Sequence, residues 1–427
     1  MRPEPYDVIV VGAGLAGLAA GATAAAGGAS TLVLAAQRPG GRARTIVRDG
    51  FRCNLGPHAL YLGGPGMRVL RSLAVRPEGG SPPLGRYRLL AGGRLHLLPT
   101  SPGSLVRTTA LGTRSKARFG RLMAGFARMD ASRLAGVSAS EWLAGFGLRP
   151  DALSVAAALI RLGTYCADLG HLSADAALRQ LQLGADSGVL YLDGGWQTLV
   201  DALAARVEVR SHQRVTSVEA AGKLTEVEVT ASAGEPFRLR AGAVVVAVGA
   251  PRAAGLLLGD AAAQGWGDLG TAVEAACLDV AARRVPAPGW ILGADDPVYG
   301  TTQGPPARLA PDGQAVVSLI RYAPRTAAED RLALQALRRE LGVADEDVIF
   351  ERFLARMTVA GAMPRAETGG LPGRPAVDAT GLPSVYLAGD WVGPDGLLAD
   401  AALASGQQAG RRALRALGRS PSAAGTR

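Results

Sequence analysis

Six residues near the start of the chain have the types and spacing to hold phosphate. Gly12-Ala13-Gly14-Leu15-Ala16-Gly17 fits G-x-G-x-x-G, follows the apolar run Val8–Val11 and precedes a small-residue segment, Leu15–Ala26. In a strand–turn–helix unit, Gly12 permits the tight turn, Gly14 lets backbone approach a pyrophosphate, and Gly17 lets helix pack on strand. The helix start then offers unpaired N–H groups and a positive dipole end to the phosphates. The chemistry predicted is dinucleotide binding. A second strand, Thr31–Leu34, should be followed by an acidic residue for the ribose hydroxyls, but that position is Ala35. The missing hydrogen bond to a charged group is worth about 1.5–3 kcal/mol. Gln37 offers a neutral acceptor in its place, whereas Arg38 would suit a 2′-phosphate. The motif alone leaves the dinucleotide open.

Further segments narrow it. Gly40-Gly41-Arg42-Ala43-Arg44-Thr45 resembles the GGR-x-x-T signature of the FAD-dependent amine oxidase and phytoene desaturase superfamily. Gly50–His58 looks like that family's strand and loop passing the flavin ring, and Val385–Trp391, continuing through Leu397-Leu398, is similar to its closing flavin motif. Between them, Asp193–Val200 resembles its GG-x-x-x-L segment and Val244–Pro251 its late strand and loop. These segments occur in the family's order over nearly the whole chain.

The resemblance implies an α/β fold: a doubly wound (Rossmann-type) FAD-binding domain with an inserted α+β substrate domain. It places 1–80, 188–254 and 376–420 in the discontinuous FAD-binding domain, 81–187 and 255–375 in the substrate domain, and leaves 421–427 as a tail. It also implies the cofactor contacts. Gly12, Gly14, Ala16 and Gly17 would meet the pyrophosphate, with Gly41 and Arg42 beside them, Arg42 as counter-charge. Gly56 and Pro57 would pass the ring, and Val215 would lie near the adenine. Gly389 and Asp390 would serve the ribityl or phosphate region. Leu397 and Leu398, heading a last helix, would offer N–H groups to the flavin pyrimidine edge, where negative charge develops on reduction.

Flavin oxidation asks little of side chains beyond placing a substrate C–H near the ring and excluding water. His58 is the one catalytic candidate, although beside a Gly-Pro turn it would equally hydrogen-bond backbone. Tyr61, Tyr165, Trp196 and Trp391 are candidates for the pocket wall. The remaining histidines lack ligand-like spacing, so no metal site is read. Many amine oxidases of this superfamily use a lysine of the substrate domain beside the flavin; residues 255–375 contain none. The reading is an FAD-dependent oxidoreductase taking hydride from a largely apolar small substrate, desaturase- or dehydrogenase-like, with isoprenoids in view. A flavin amine oxidase and a redox-silent binding protein or isomerase on the same fold stand as alternatives.

The elements that must position these residues follow from composition and pattern. The chain has 427 residues, 48% hydrophobic and 19% charged, enough apolar content for a large core and too little charge for disorder. Three dispersed cysteines, Cys53, Cys166 and Cys277, exclude a disulfide scaffold and fit a reducing cytoplasm. No charge occurs between Asp7 and Arg38, but six glycines in that stretch argue against a membrane helix. Strands are predicted at Val207–Arg210, Val215–Ala220, Leu224–Thr230, Arg238–Val248, Ala315–Tyr322 and Val348–Phe353, with helices at Ala327–Leu341 and Asp400–Leu417.

Positive charge is lopsided. Between Arg38 and Arg133 there are 17 Arg and one Lys against three acids, so this segment carries net +15 of the overall +10. Nucleic acid is not among the predicted partners; an anionic cofactor, substrate or membrane surface is. From Arg114 to Met129 an apolar stripe (Phe119, Leu122, Met123, Phe126, Met129) opposes Arg114, Arg118, Arg121 and Arg128. That pattern fits a helix docked by its stripe, or one lying on an anionic membrane at the inner face.

Overall fold

The computed structural model describes residues 5–419, apart from 84, 86, 232–234, 260–262, 264–265, 267–268 and 271. The tail 421–427 lies outside the described residues. The chain opens with β1 (Tyr6–Val11), α1 (Leu15–Ala26) and β2 (Thr31–Ala35). Val8–Val10 and Leu32–Leu34 are almost wholly buried, as continuous apolar runs are when both faces of a parallel sheet are covered. β1 lies between β2 and the strand Phe237–Val246, both parallel to it. Glu208–Ser211 extends the sheet beyond β2, and Val385–Leu387 pairs in parallel with Val244–Val246. Gln213–Ala221 and Leu224–Ala231 complete it as an antiparallel flap.

One helix locks the two ends of the chain together. The last helix, Leu398–Ala416, packs along α1. A Cβ on Gly406 or Gly410 would run into the carbonyl oxygens of Ala16 or Ala20, so only glycine permits this approach. The start of the chain and the last helix among the described residues therefore share one core.

A second seven-stranded sheet has the order Val348–Ala360, Val273–Ala282, Ala315–Tyr322, Val298–Gly304, Trp290–Gly293, Arg88–Ala91 and Arg94–Leu97. The strand Val273–Ala282 alternates by face, as the pleat requires. Ala276, Leu278 and Val280 meet Leu334, Leu337 and Leu341 of the helix Ala327–Glu340 or the turn after it. Ala275 and Cys277 point the other way, toward the helical cap made by 113–187. The hairpin 88–97 turns through Gly92 and Gly93, both at positive φ, and joins this sheet in parallel with Trp290–Gly293. Periodicity did not predict that hairpin or the strands at 273–304: Val273–Ala282 is buried on both faces and so shows no polar alternation, and Val298–Gly304 is interrupted by Gly and Thr.

The predicted basic helix forms as Thr113–Gly125 followed by a short 3-10 turn. Phe119, Leu122 and Phe126 are buried in the cap, while Arg114, Arg118, Arg121 and Arg128 are exposed. The stripe is thus spent on internal packing, and only the basic face is open to a surface. No helix among the described residues is long and apolar enough to cross a membrane.

Candidate active site

The turn between β1 and α1 carries Gly12, Gly14, Ala16 and Gly17. Gly12 sits at φ 109°, where a side chain would be strained and would meet the Ala247 carbonyl. A Cβ at Gly17 would overlap the Gly12 carbonyl, so this glycine is needed for packing. Gly14 differs: a Cβ there would meet nothing within 4 Å. The atom nearest to a Cβ on Gly41 is the Gly14 Cα, at 3.7 Å. These two glycines border open space at the start of α1. That helix has no side-chain cap and no acid in its first turn, so its leading N–H groups are left for an anion.

Around this cradle the distant segments converge. Arg42 and Asp390, 348 positions apart, form a bidentate ion pair at 2.7 and 2.8 Å. The Arg42 guanidinium also donates to the Val359 carbonyl at 2.7 Å. Burial works against the Arg42 charge, but the attraction of Asp390 outweighs it and holds the group above its ordinary range. Asp390 accepts from the Gly361 N–H at 2.9 Å as well. The sequence reading assigned Arg42 and Asp390 to separate tasks; the structure makes them one unit. Arg374, which no motif singled out, is buried against the Asp390 and Gly396 carbonyls at 2.9 and 2.8 Å. Desolvation pulls its pKa down to about 10.

Leu397 and Leu398 head the last helix, and Leu398 has φ 54°, a left-handed geometry that is costly for a branched residue. Gly389 is tied to the same helix by Ser405 Oγ, which donates to the Gly389 carbonyl at 2.8 Å. Asp400, in that helix's first turn, accepts from the Gly66 N–H at 2.8 Å. Its burial raises the carboxyl pKa to about 6. Beside Leu397 and Leu398 runs a narrow gap lined by Cys166, Leu172, Val273, Ala362 and Met363, with Asp390 its one charged residue.

The 54–58 loop is clamped from the second sheet. Asp279, fully buried, faces this loop, with its Oδ2 3.4 Å from the Gly56 N–H, and accepts from Ser318 Oγ at 2.7 Å. Arg352 contacts both Asp279 and the Asn54 carbonyl. Desolvation pushes the Asp279 carboxyl up, and Arg352 pulls it back only in part. Gln303 donates to the His58 carbonyl at 2.6 Å, and the Tyr165 hydroxyl to the Pro57 carbonyl at 2.9 Å. The signal for Asp279 was present in the sequence: it is the one charged residue within the apolar run Ala275–Ala282.

His58 Nδ1 lies 3.0 Å from the Gly56 carbonyl, which can only accept, so Nδ1 carries the proton. Burial lowers the imidazole pKa, and its ring leans on Trp196 with centroids 5.1 Å apart. Trp391 is sealed in the core against Trp266. Gln37 and Arg38 are exposed beyond β2, Ala35 is buried at its end, and Val215 sits at a bulge in the flap. The three cysteine thiols are buried, which raises their pKa values and keeps them protonated.

A doubly wound sheet, an uncapped glycine cradle and a closing segment brought back to it define a dinucleotide-binding α/β protein. A family model described as flavin containing amine oxidoreductase matches residues 15–414, and the chain belongs to that family. Its cofactor is FAD, and the open Gly14–Gly41 cradle beside the Arg42–Asp390 pair fits that group. No curated protein sequence matches the chain significantly. Among solved structures, a redesigned triple mutant of putrescine oxidase is similar at 16% identity and TM-score 0.74, covering 96% of this chain and 99% of that one. Cyclohexylamine oxidase from Brevibacterium oxydans is similar at 17% identity and TM-score 0.70, covering 97% and 100%. An oxidoreductase from Methanosarcina mazei is similar at 16% identity and TM-score 0.72, covering 94% and 99%.

Proposed function

We propose that this flavin oxidoreductase takes hydride from a largely apolar substrate, as a desaturase or dehydrogenase, with isoprenoid-like compounds as the leading class. The observation that carries this reading is the largely apolar lining of the gap at Leu397–Leu398, whose one charged side chain, Asp390, is already paired with Arg42 and so is not free to meet a cationic amine. Bound FAD supplies the two-electron acceptor. The chain's own residues do the rest. Gly12, Gly14, Ala16, Gly17, Gly41 and Arg42 hold the pyrophosphate, while Gln37, Arg38 and Val215 border the adenosine. Gly389 and Asp390 hold the ribityl end, and the Leu397 and Leu398 N–H groups meet the pyrimidine edge. Gly56 and Pro57 pass the ring and His58 stays neutral beside it, excluding water rather than moving charge. The exposed Arg114, Arg118, Arg121 and Arg128 face rests on anionic lipid at the inner membrane face by charge alone, where an apolar substrate would be dissolved.

A flavin amine oxidase is the second reading, favoured by the amine oxidases among the similar structures. The lack of any lysine in 255–375 counts against its lysine-dependent form. Anaerobic mixing of the FAD-loaded protein with a detergent-dispersed polyene, and separately with cyclohexylamine, tests both. Bleaching of the visible flavin band by the polyene supports the proposal, and bleaching by the amine alone replaces it with the second reading. A flavin that neither compound bleaches, but dithionite does, would overturn both substrate readings.

A further inference from the structure

Outside the active site lies a basic cleft of about 530 Å³, within the range of small-molecule sites. It lies where the two sheet systems meet. Arg52 comes from the hairpin before the clamped loop, Arg76 and Glu78 follow the helix Pro65–Ser72, Asp193 and Arg206 flank the helix Gln197–Ala204, and Arg308 comes from the loop that joins the strands Val298–Gly304 and Ala315–Tyr322 of the second sheet.

Its charges are unevenly matched. Arg308 is spent on the carboxylates: its Nε is 2.8 Å from Asp193 and its Nη2 is 3.7 Å from Glu78. Arg206 is held by neutral groups only, donating to the Leu73 carbonyl at 2.7 Å and the Ala74 carbonyl at 2.9 Å, with a third contact to Ala202. Those bonds fix its plane without cancelling its charge and leave two of its five N–H donors unused. Among the described residues, the Arg52 and Arg76 guanidinium groups have no acidic or hydrogen-bonding partner. Four cations against two carboxylates leave the cavity at +2. A pre-organised arginine loses little entropy when it binds an oxyanion. The floor between them is apolar, made by Val75 and Leu199, both buried.

We infer that this cavity binds a small organic dianion, a phosphomonoester with a compact apolar body, its phosphate against Arg52, Arg76 and Arg206 and its body on Val75 and Leu199. The site is separate from the dinucleotide cradle and does not depend on the substrate reading.

Calorimetric titration of FAD-saturated protein with phenyl phosphate, and in parallel with inorganic phosphate, tests it. One saturable site is expected for phenyl phosphate, tighter than inorganic phosphate by about threefold, the worth of a partly buried ring. Arg52→Gln/Arg76→Gln should weaken binding tenfold or more. Both residues are exposed, so the variant folds. Arg94→Gln/Arg107→Gln, which removes equal charge from exposed positions elsewhere, should leave the affinity unchanged. Absence of saturable heat, or equal losses in both double variants, would overturn the proposal in favour of diffuse attraction. Equal affinity for the two phosphates would remove the apolar subsite and with it the ester as ligand.

Discussion

The two sheets solve different problems with different materials. In the dinucleotide sheet no charged side chain is buried within Val8–Val11, Thr31–Ala35 or Ala243–Val246. Its glycine turn leaves the first N–H groups of α1 without a side-chain cap and beside open space. The second sheet buries Asp279 and Arg321 in its strands and Asp330 and Arg338 on the helix packed against it. Arg321 reaches Asp296 at 2.7 and 2.8 Å and Asp330 at 3.2 Å, and Arg338 is held by the Val343 and Ala344 carbonyls. A phosphate cradle has to let backbone come close, which demands the absence of side chains. The second sheet has to hold the 54–58 loop at a set distance, which demands side chains that reach. The first sheet is therefore sensitive to added volume and the second to removed charge.

Gly17→Val should break the first side of this comparison most severely, because its Cβ overlaps the Gly12 carbonyl. Loss of soluble folded protein, read by circular dichroism, is the expected outcome. Asp279→Asn tests the other side: it leaves Arg352 short of its counter-charge and loosens the Gly56 loop. A loss of about 3 kcal/mol in urea unfolding is expected, together with a shifted flavin absorption band that a purely structural role would not produce. Gly14→Ala sharpens the contrast within the first sheet. Its Cβ has open space, so unfolding of the FAD-free protein should hold near the parent value, while FAD affinity falls by about a hundredfold, roughly 2.7 kcal/mol.

Asp400→Asn probes the seam where the two ends of the chain meet. With its folded pKa raised to about 6, Asp400 keeps its proton in the folded protein after the unfolded chain has released it. Stability is thus lost as pH rises from about 4 to about 6, by about 2–3 kcal/mol. The asparagine variant should lack that loss. Its unfolding free energy relative to the parent should climb between pH 4 and pH 7.5, and a flat difference would remove the buried charge from the account. Ala35→Glu is the gentlest test. Supplying the acid that dinucleotide sites place after the second strand should tighten FAD about tenfold, measured by quenching of flavin fluorescence on binding.

Much of the first sheet was legible because its signals are local. β1, α1 and β2 lie within two residues of the predicted bounds, as does the last helix. Apolar runs bounded by glycine admit few other structures. Ala315–Tyr322 was equally plain, but the neighbouring Val298–Gly304 was not, since Gly, Thr and Gln occupy it although every residue is buried. Two of its polar side chains find partners far away in sequence: the Thr301 hydroxyl meets that of Tyr191 at 3.0 Å, and Gln303 donates to the His58 carbonyl at 2.6 Å.

The sequence by itself determined the dinucleotide cradle, the order of the segments that return to it and the absence of a ribose-binding acid at Ala35. These depend on residue type and on spacing along a few turns of chain, where backbone geometry leaves little freedom. Only the tertiary structure joined Arg42 to Asp390, set Asp279 and Arg352 under the Gly56 loop, and turned the apolar stripe of the basic helix inward. Each of these couples groups dozens to hundreds of positions apart. What decides the two ion pairs is the cost of burying a charge alone, and what turns the stripe inward is the burial of its apolar area; no local pattern records the partner in either case.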